Sequence, residues 1–217
     1  MVNIIVILEK TKKPLRYGYS SLLHGYMSEL LGNENYGKSL SDYTYSHFIG
    51  GKRTNDGIVF EDNPYFYIRT SKEEVWKNFL KNISRKKFIF EGYNVLGFNV
   101  MDMNLDKEYF ETDSSTPILV SKKYNLFDVL SQKELYDTED YLVKSIINKG
   151  KDFGIDIDKN LSIKIVSQKK HTDVFYRDII NKGRNFKLKI TCDKPTKEFI
   201  LTYGIGRSTS CGFGFLI

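Results

Sequence analysis

An α+β fold of two successive β-α-β-β-α-β units is what this sequence predicts, and three observations predict it. Apolar residues switch between period two and period 3.6 in the order strand, helix, strand, strand, helix, strand. That order then runs a second time. The 217 residues suffice for two domains of about 100 residues each. Each unit has ferredoxin-like connectivity, so the expected class is a tandem ferredoxin-like protein, with an N-terminal domain at 1–112 and a C-terminal domain at 113–217. The acidic, turn-rich stretch Lys107–Ser115 is the expected hinge.

In the first half, Asn3–Glu9 is an apolar strand. Ser20–Leu31 is a helix, because Leu23, Tyr26, Met27, Leu30 and Leu31 recur at helical spacing and Gly32-Asn33 ends the run. Tyr43–Ile49 alternates as a strand, and Ile58–Phe60 and Tyr65–Arg69 are extended. Ser71–Ile83 is the second helix, with Ser71 as cap and Glu73 and Glu74 in its first turn. Phe88–Val100 is strand-like, with a turn near Gly92–Asn94. In the second half, Thr116–Ser121 reads as a strand and Thr138–Lys149 as a helix with Tyr141, Leu142, Ile146 and Ile147 as its stripe. Leu161–Val166 and Phe186–Thr191 are strands. Lys194–Tyr203 is a helix with Pro195 in its first turn, and Phe213–Ile217 closes the fold.

Composition sets the function class. Apolar residues at 41% and charged residues at 28% exclude a disordered tail and a fibre. No apolar run approaches the roughly 20 residues of a membrane span. The apolar start Met1–Leu8 lacks a basic lead-in and a small-residue cleavage site, so it reads as a buried strand and not a leader. Cys192 and Cys211 are too few for a disulfide framework or a zinc cage, and a cytoplasmic location is expected. The net charge of +6 is uneven. Residues 160–217 hold eleven Lys/Arg against four Asp/Glu, or +7, and residues 1–159 sum to −1. Concentrated cations mark a polyanion footprint or a solvated face. With 14% aromatics, a basic groove carrying exposed tyrosines also suits single-stranded nucleic acid.

The most specific feature is Gly204-Ile205-Gly206-Arg207-Ser208-Thr209-Ser210-Cys211-Gly212-Phe213-Gly214. Two Gly-apolar-Gly triplets stand five residues apart. Such a loop allows positive φ and close backbone approach, and its amides, Arg207 and the hydroxyls of Ser208, Thr209 and Ser210 suit phosphate. It has neither the Gly-Lys-Ser/Thr of a Walker loop nor a following helix for a dinucleotide fingerprint. The bland reading is a turn that packs the last helix tightly on the last strand.

This ending, placed directly after the last helix, resembles the RAMP superfamily of CRISPR systems, with its RRM-like domains. Within it the sequence is most similar to the Cas6 family of endoribonucleases that cut precursor CRISPR RNA in its repeats. Tyr17–Tyr26 resembles the family's lead into helix one, Thr44-Tyr45-Ser46 its second strand, and the basic stretch Lys164–Lys189 lies just ahead of the Gly-rich element, as in the family. The resemblance implies cleavage without a metal or other cofactor. A general base takes the ribose 2′-hydroxyl proton, the oxygen attacks phosphorus, and a general acid protonates the leaving 5′-oxygen. Products would be a 2′,3′-cyclic phosphate and a 5′-hydroxyl. It also implies CRISPR repeat RNA as partner, with other effector subunits or a second copy of the chain as further partners and no membrane. The alternatives are a non-catalytic RAMP subunit of an effector complex and an RNA-binding module outside CRISPR systems.

The expected catalytic residues are His24, His47 and Lys38. Ser20, His24 and Ser28 are spaced by four and form a polar seam beside the apolar stripe of helix one, where some branches of the family carry their histidine. His47 shares a strand face with Tyr45 and Ile49. The commoner family pattern has a histidine in the loop after this helix. Here that loop has none, and Lys38 falls near its place. The expected RNA contacts are Lys169, Lys170, His171, Lys182, Arg184 and Lys187, with Gly204, Gly206, Arg207, Ser208, Gly212 and Gly214 of the loop. Lys52-Arg53 and Arg85-Lys86-Lys87 are lesser patches. Cys211 reads as a small filler.

Overall fold

The computed structural model describes residues 1–32, 42–103, 105, 109–113, 115–120, 129–176 and 179–217. Its strands are β1 (Val2–Leu8), β2 (Tyr43–Tyr45), β3 (Ile49–Thr54), β4 (Gly57–Thr70), β5 (Phe88–Phe90), β6 (Tyr93–Asp102), β7 (Tyr109–Asp113), β8 (Ser162–Tyr176) and β9 (Ile179–Thr191). Its helices are α1 (Ser20–Leu31), α2 (Glu73–Ile83), α3 (Gln132–Phe153) and α4 (Lys194–Tyr203). The chain forms two compact units. The first is Met1–Met103 with Val174–Ile180 and Ser210–Gly212. The second is Asn104–Asp173, Asn181–Thr209 and Phe213–Ile217.

In the first unit, β1 lies between β4 and β6 in an antiparallel sheet of order β2-β4-β1-β6-β5, and β3 pairs with β4. Taken as β2, β4, β1 and β6, that is the ferredoxin-like order in which the first strand is central. Alternation sorts β1: Ile4, Val6 and Leu8 are fully buried while Ile5 and Ile7 are not. The stripe expected on α1 is the one it buries, Leu23, Tyr26, Met27, Leu30 and Leu31. On α2, Val75, Phe79 and Ile83 face inward. Aromatic rings fill the rest: Phe48 stacks on Phe66 at 5.7 Å and on Phe90 at 5.8 Å.

In the second unit the sheet order is β7-β9-β8. Residues 213–217 complete the ferredoxin-like order without forming a ladder strand. The Asp113 and Ile217 backbones exchange hydrogen bonds of 3.1 and 3.0 Å, and the Ser115 N–H donates to the Phe215 carbonyl at 2.9 Å. Ser131 and Glu134 close a capping box at the start of α3. Asp193 caps α4 by accepting from the Thr196 N–H at 2.9 Å, with Pro195 in its first turn.

Several elements differ from the sequence expectation. Residues 116–120 do not form a strand. Ile118 and Leu119 make single bridges to Arg184 and Arg207, and Pro117 has no N–H for a ladder. The ladder strand lies in the expected hinge, as β7 paired with β9 from Tyr109↔Thr191 to Asp113↔Lys187. Tyr43–Ile49 is broken, because the chain leaves β2 after Tyr45 and starts the β3–β4 hairpin at Ile49. The N-cap of α2 is Lys72 and not Ser71; Thr70 Oγ1 accepts from the Lys72 N–H at 3.0 Å. Strands β8 and β9 run far beyond Val166 and ahead of Phe186 as a long hairpin whose tip belongs to the first unit. Among the described residues, no helix is long and apolar enough to cross a membrane.

Candidate functional site

The polar seam of α1 is the base of the site, and all three of its members are engaged within the first unit. Ser20 Oγ donates to the Phe175 carbonyl. His24 Nδ1 lies 3.1 Å from the Ser210 carbonyl and 3.2 Å from Tyr45 Oη. Ser28 Oγ donates to the His24 carbonyl at 3.0 Å and bonds the Tyr43 hydroxyl. Tyr176 sets its ring edge-on to His24, with centroids 5.9 Å apart. One helix face therefore holds the hairpin tip, the Gly-rich loop and β2.

This geometry fixes the chemistry of His24. A carbonyl oxygen only accepts, so Nδ1 carries the proton and donates to Ser210. Nε2 is then the basic nitrogen of the neutral ring. The ring is half-buried, so it is oriented and still reachable. Tyr45 is fully buried, and burial first, then the neighbouring Cys211 and Tyr43, holds its hydroxyl well above the ordinary tyrosine pKa. Its role is therefore that of a neutral hydroxyl beside the imidazole.

His47 is placed differently. Its Nε2 is buried and its ring hydrogen-bonds the Cys211 backbone. Tyr19 meets it edge-on at 6.0 Å. Burial pushes its pKa down to about 4, opposed by the Cys211 bond and assisted by Arg53. It is neutral near pH 7 and packs the loop from beneath. Lys38 lies outside the described residues.

The four loop glycines are all buried. The Gly204 N–H donates to Ile200 and the Gly214 N–H to Pro117, at 2.9 and 3.1 Å, so those two amides serve the fold. Gly212 has φ +83°, and a Cβ there would stand 2.7 Å from Tyr45 Cε2 and 3.2 Å from His47 Cδ2. Only glycine lets the loop settle on these rings, and Ser210, two residues earlier, thereby reaches His24. What the loop presents outward is Arg207 and Ser208, both exposed. Gly206 is backed by Ile118 and Leu119. In the second unit, Lys149 Nζ bonds the Tyr203 and Gly204 carbonyls and Thr209 Oγ1, each at 3.2 Å, and pins the loop to the end of α4.

The expected RNA contacts divide. Lys169 is exposed and Lys182 is half-exposed. His171 sits 4.0 Å from Asp173 and Lys187 3.4 Å from Glu111. Arg184 is a correction. It is 1% exposed, and its Nη1 donates to Gln168 Oε1 and to the Lys169 carbonyl, both at 3.0 Å. It ties β9 to β8 and cannot meet a phosphate from inside. The Lys170 side chain lies outside the described residues. Tyr45, named from sequence only as part of its strand, and Tyr176 and the Ser210 carbonyl were given no role at the site from sequence. A carbonyl leaves no mark in a sequence, and nothing in the local pattern of either tyrosine says that it meets an imidazole. No group of three His, Cys, Asp or Glu suited to a metal occurs among the described residues.

Comparison with known proteins adds family and fold. The family model "CRISPR associated protein Cas6, C-terminal" matches residues 57–217. A solved structure described as a Cas6-related gene from Pyrococcus furiosus superposes with TM-score 0.84 at 21% identity, covering 100% of this chain and 97% of that one. A RAMP protein binding different RNA substrates gives 0.82 at 19%, covering 100% and 98%. A CRISPR associated protein Cas6 gives 0.77 at 15%, also covering 100% and 98%. A guanylate cyclase alpha of Plasmodium falciparum is 29% identical over 116 residues, 52% of this chain. The chain spans 3% of that protein's length, and no activity carries over from it.

Proposed function

This chain belongs to the Cas6 family of CRISPR-associated proteins, and from that premise we propose that it binds CRISPR repeat RNA and cleaves it with His24 as the proton-transfer group. The observation that carries the reading is the His24–Ser210 hydrogen bond, which fixes a half-buried imidazole in the tautomer of a general base. RNA binding has support from the similar fold of a RAMP protein that binds different RNA substrates and from the exposed Arg207 and Ser208 of the loop.

In this mechanism His24 Nε2 takes the proton of a ribose 2′-hydroxyl. The 2′-oxygen bonds to the adjacent phosphorus, and the phosphorus to 5′-oxygen bond breaks. A proton from an acid on the opposite side, a side chain or water, completes the 5′-hydroxyl, and a 2′,3′-cyclic phosphate remains. The Ser210 carbonyl stabilises the imidazolium as it forms. The neutral Tyr45 hydroxyl fixes the ring plane. Each step draws on side chains and water alone.

The test is a cleavage assay on labelled repeat RNA in EDTA, with 2′-deoxy substitutions at each candidate position. A single cut blocked by one deoxy substitution is expected. His24→Ala should lower its rate by about a thousandfold, the scale of a lost general base, with affinity held within about threefold. Tight binding with no cut would overturn the nuclease reading and leave an RNA-binding RAMP subunit.

A further inference from the structure

Arg53 is an exposed cation on β3, outside the residues that face His24. Its guanidinium lies over the Tyr17 ring, 5.7 Å from the centroid. Tyr17 is itself held, because its hydroxyl donates to the Thr54 carbonyl and the neighbouring bridge Leu15↔Ile58 fastens its segment to β4. The same single turn, Tyr17–Tyr19, carries Tyr19 at its other end, edge-on to His47. Arg53 therefore stands one turn from the histidine that supports the loop, close enough for its charge to act on both His47 and Tyr19.

We propose that Arg53 and Tyr17 form an RNA-gripping pair at the rim of the His24 site, the guanidinium holding one phosphodiester and the tyrosine ring offering a face to the adjoining base. The inference rests on the RNA reading above and deepens it. A planar guanidinium fits phosphate oxygens two at a time. The Tyr17 ring beneath it gives the cation an aromatic seat, and aromatic faces accept any base. The grip is therefore independent of sequence and contributes affinity and register.

The test is the salt dependence of repeat-RNA binding by the full chain. One lost phosphate contact on a single strand should flatten the log affinity against log salt slope by about 0.7 in Arg53→Ala. Arg53→Lys should keep the slope and lose about threefold to tenfold in affinity, since it retains charge but not the plane. Tyr17→Leu should keep the slope and lose about tenfold, the scale of one stacked base. Melting temperatures, measured in parallel, should match the parent. An Arg53→Ala slope equal to the parent's, with RNA still bound and cut, overturns this pair and leaves the nuclease reading standing. Failure of the parent to bind any repeat RNA overturns both.

Discussion

Two histidines touch the same loop and serve opposite ends. His24 reaches it through the Ser210 carbonyl and stays reachable; His47 reaches it through the Cys211 backbone with its Nε2 buried. Sequence spacing placed each on a polar or mixed face, but spacing reports direction and not depth, so both remained candidates until the loop was seen over them. The difference has a pH consequence. The unfolded His47 takes a proton near pH 6.5 and the folded one only near about 4. Between those values the unfolded chain binds more protons, so stability is full above about pH 6.5 and falls as pH drops toward 4. The expected loss is about 2–3 kcal/mol, and His47→Gln should remove most of it. Urea melts of both proteins at pH 7, 5.5 and 4.5 check this. Parallel acid limbs would show that His47 is not the group that titrates.

At the scale of elements, α1 and α4 were legible to the residue, α1 from its apolar stripe and the glycine that ends it and α4 from Pro195 in its first turn. The strands of the second half were not. Strand β7 lies in an acidic, turn-like run and pairs with β9 from far away in sequence, and the β8–β9 hairpin is polar along much of its length. The Gly-rich loop was legible as a motif with two readings, phosphate binding and close packing, and the tight contacts around Gly206, Gly212 and Gly214 fit the packing one. This separates glycines by substitution. Gly212→Ala meets both a positive φ and the Tyr45 ring, so it should cost about 2–3 kcal/mol and displace Ser210 from His24. Gly25 sits mid-helix in α1 with nothing within 4 Å of an added Cβ, so Gly25→Ala should stabilise by about 0.5–1 kcal/mol. Thermal melts with cleavage rates read both. A Gly212→Ala protein that melts and cuts like the parent would show that the loop tolerates a side chain at this seat.

For the whole molecule, the charge asymmetry seen in sequence overstates what a polyanion meets. The last 58 residues carry the full positive excess, yet Arg184 is 1% and Lys197 4% exposed, with Lys197 over the Phe110 ring at 5.0 Å. Lys164 and Lys187 have carboxylate partners at 3.0 and 3.4 Å. The cations that face outward are fewer, Lys169, Lys182 and Arg207 among them. Formal charge counts residues, whereas counterion release counts phosphates neutralised at the surface. Lys169→Ala, Lys182→Ala and Arg207→Ala should therefore each flatten the salt dependence of RNA binding by about 0.7 and leave the melting temperature in place. Arg184→Met should do the reverse. It removes a buried guanidinium from Gln168 and the Lys169 carbonyl, so it should lower stability by about 2 kcal/mol while the slope stays at the parent value. A flattened slope in Arg184→Met, measured where the variant is fully folded, would mean that β8 and β9 part on binding and that this buried cation is delivered to the RNA.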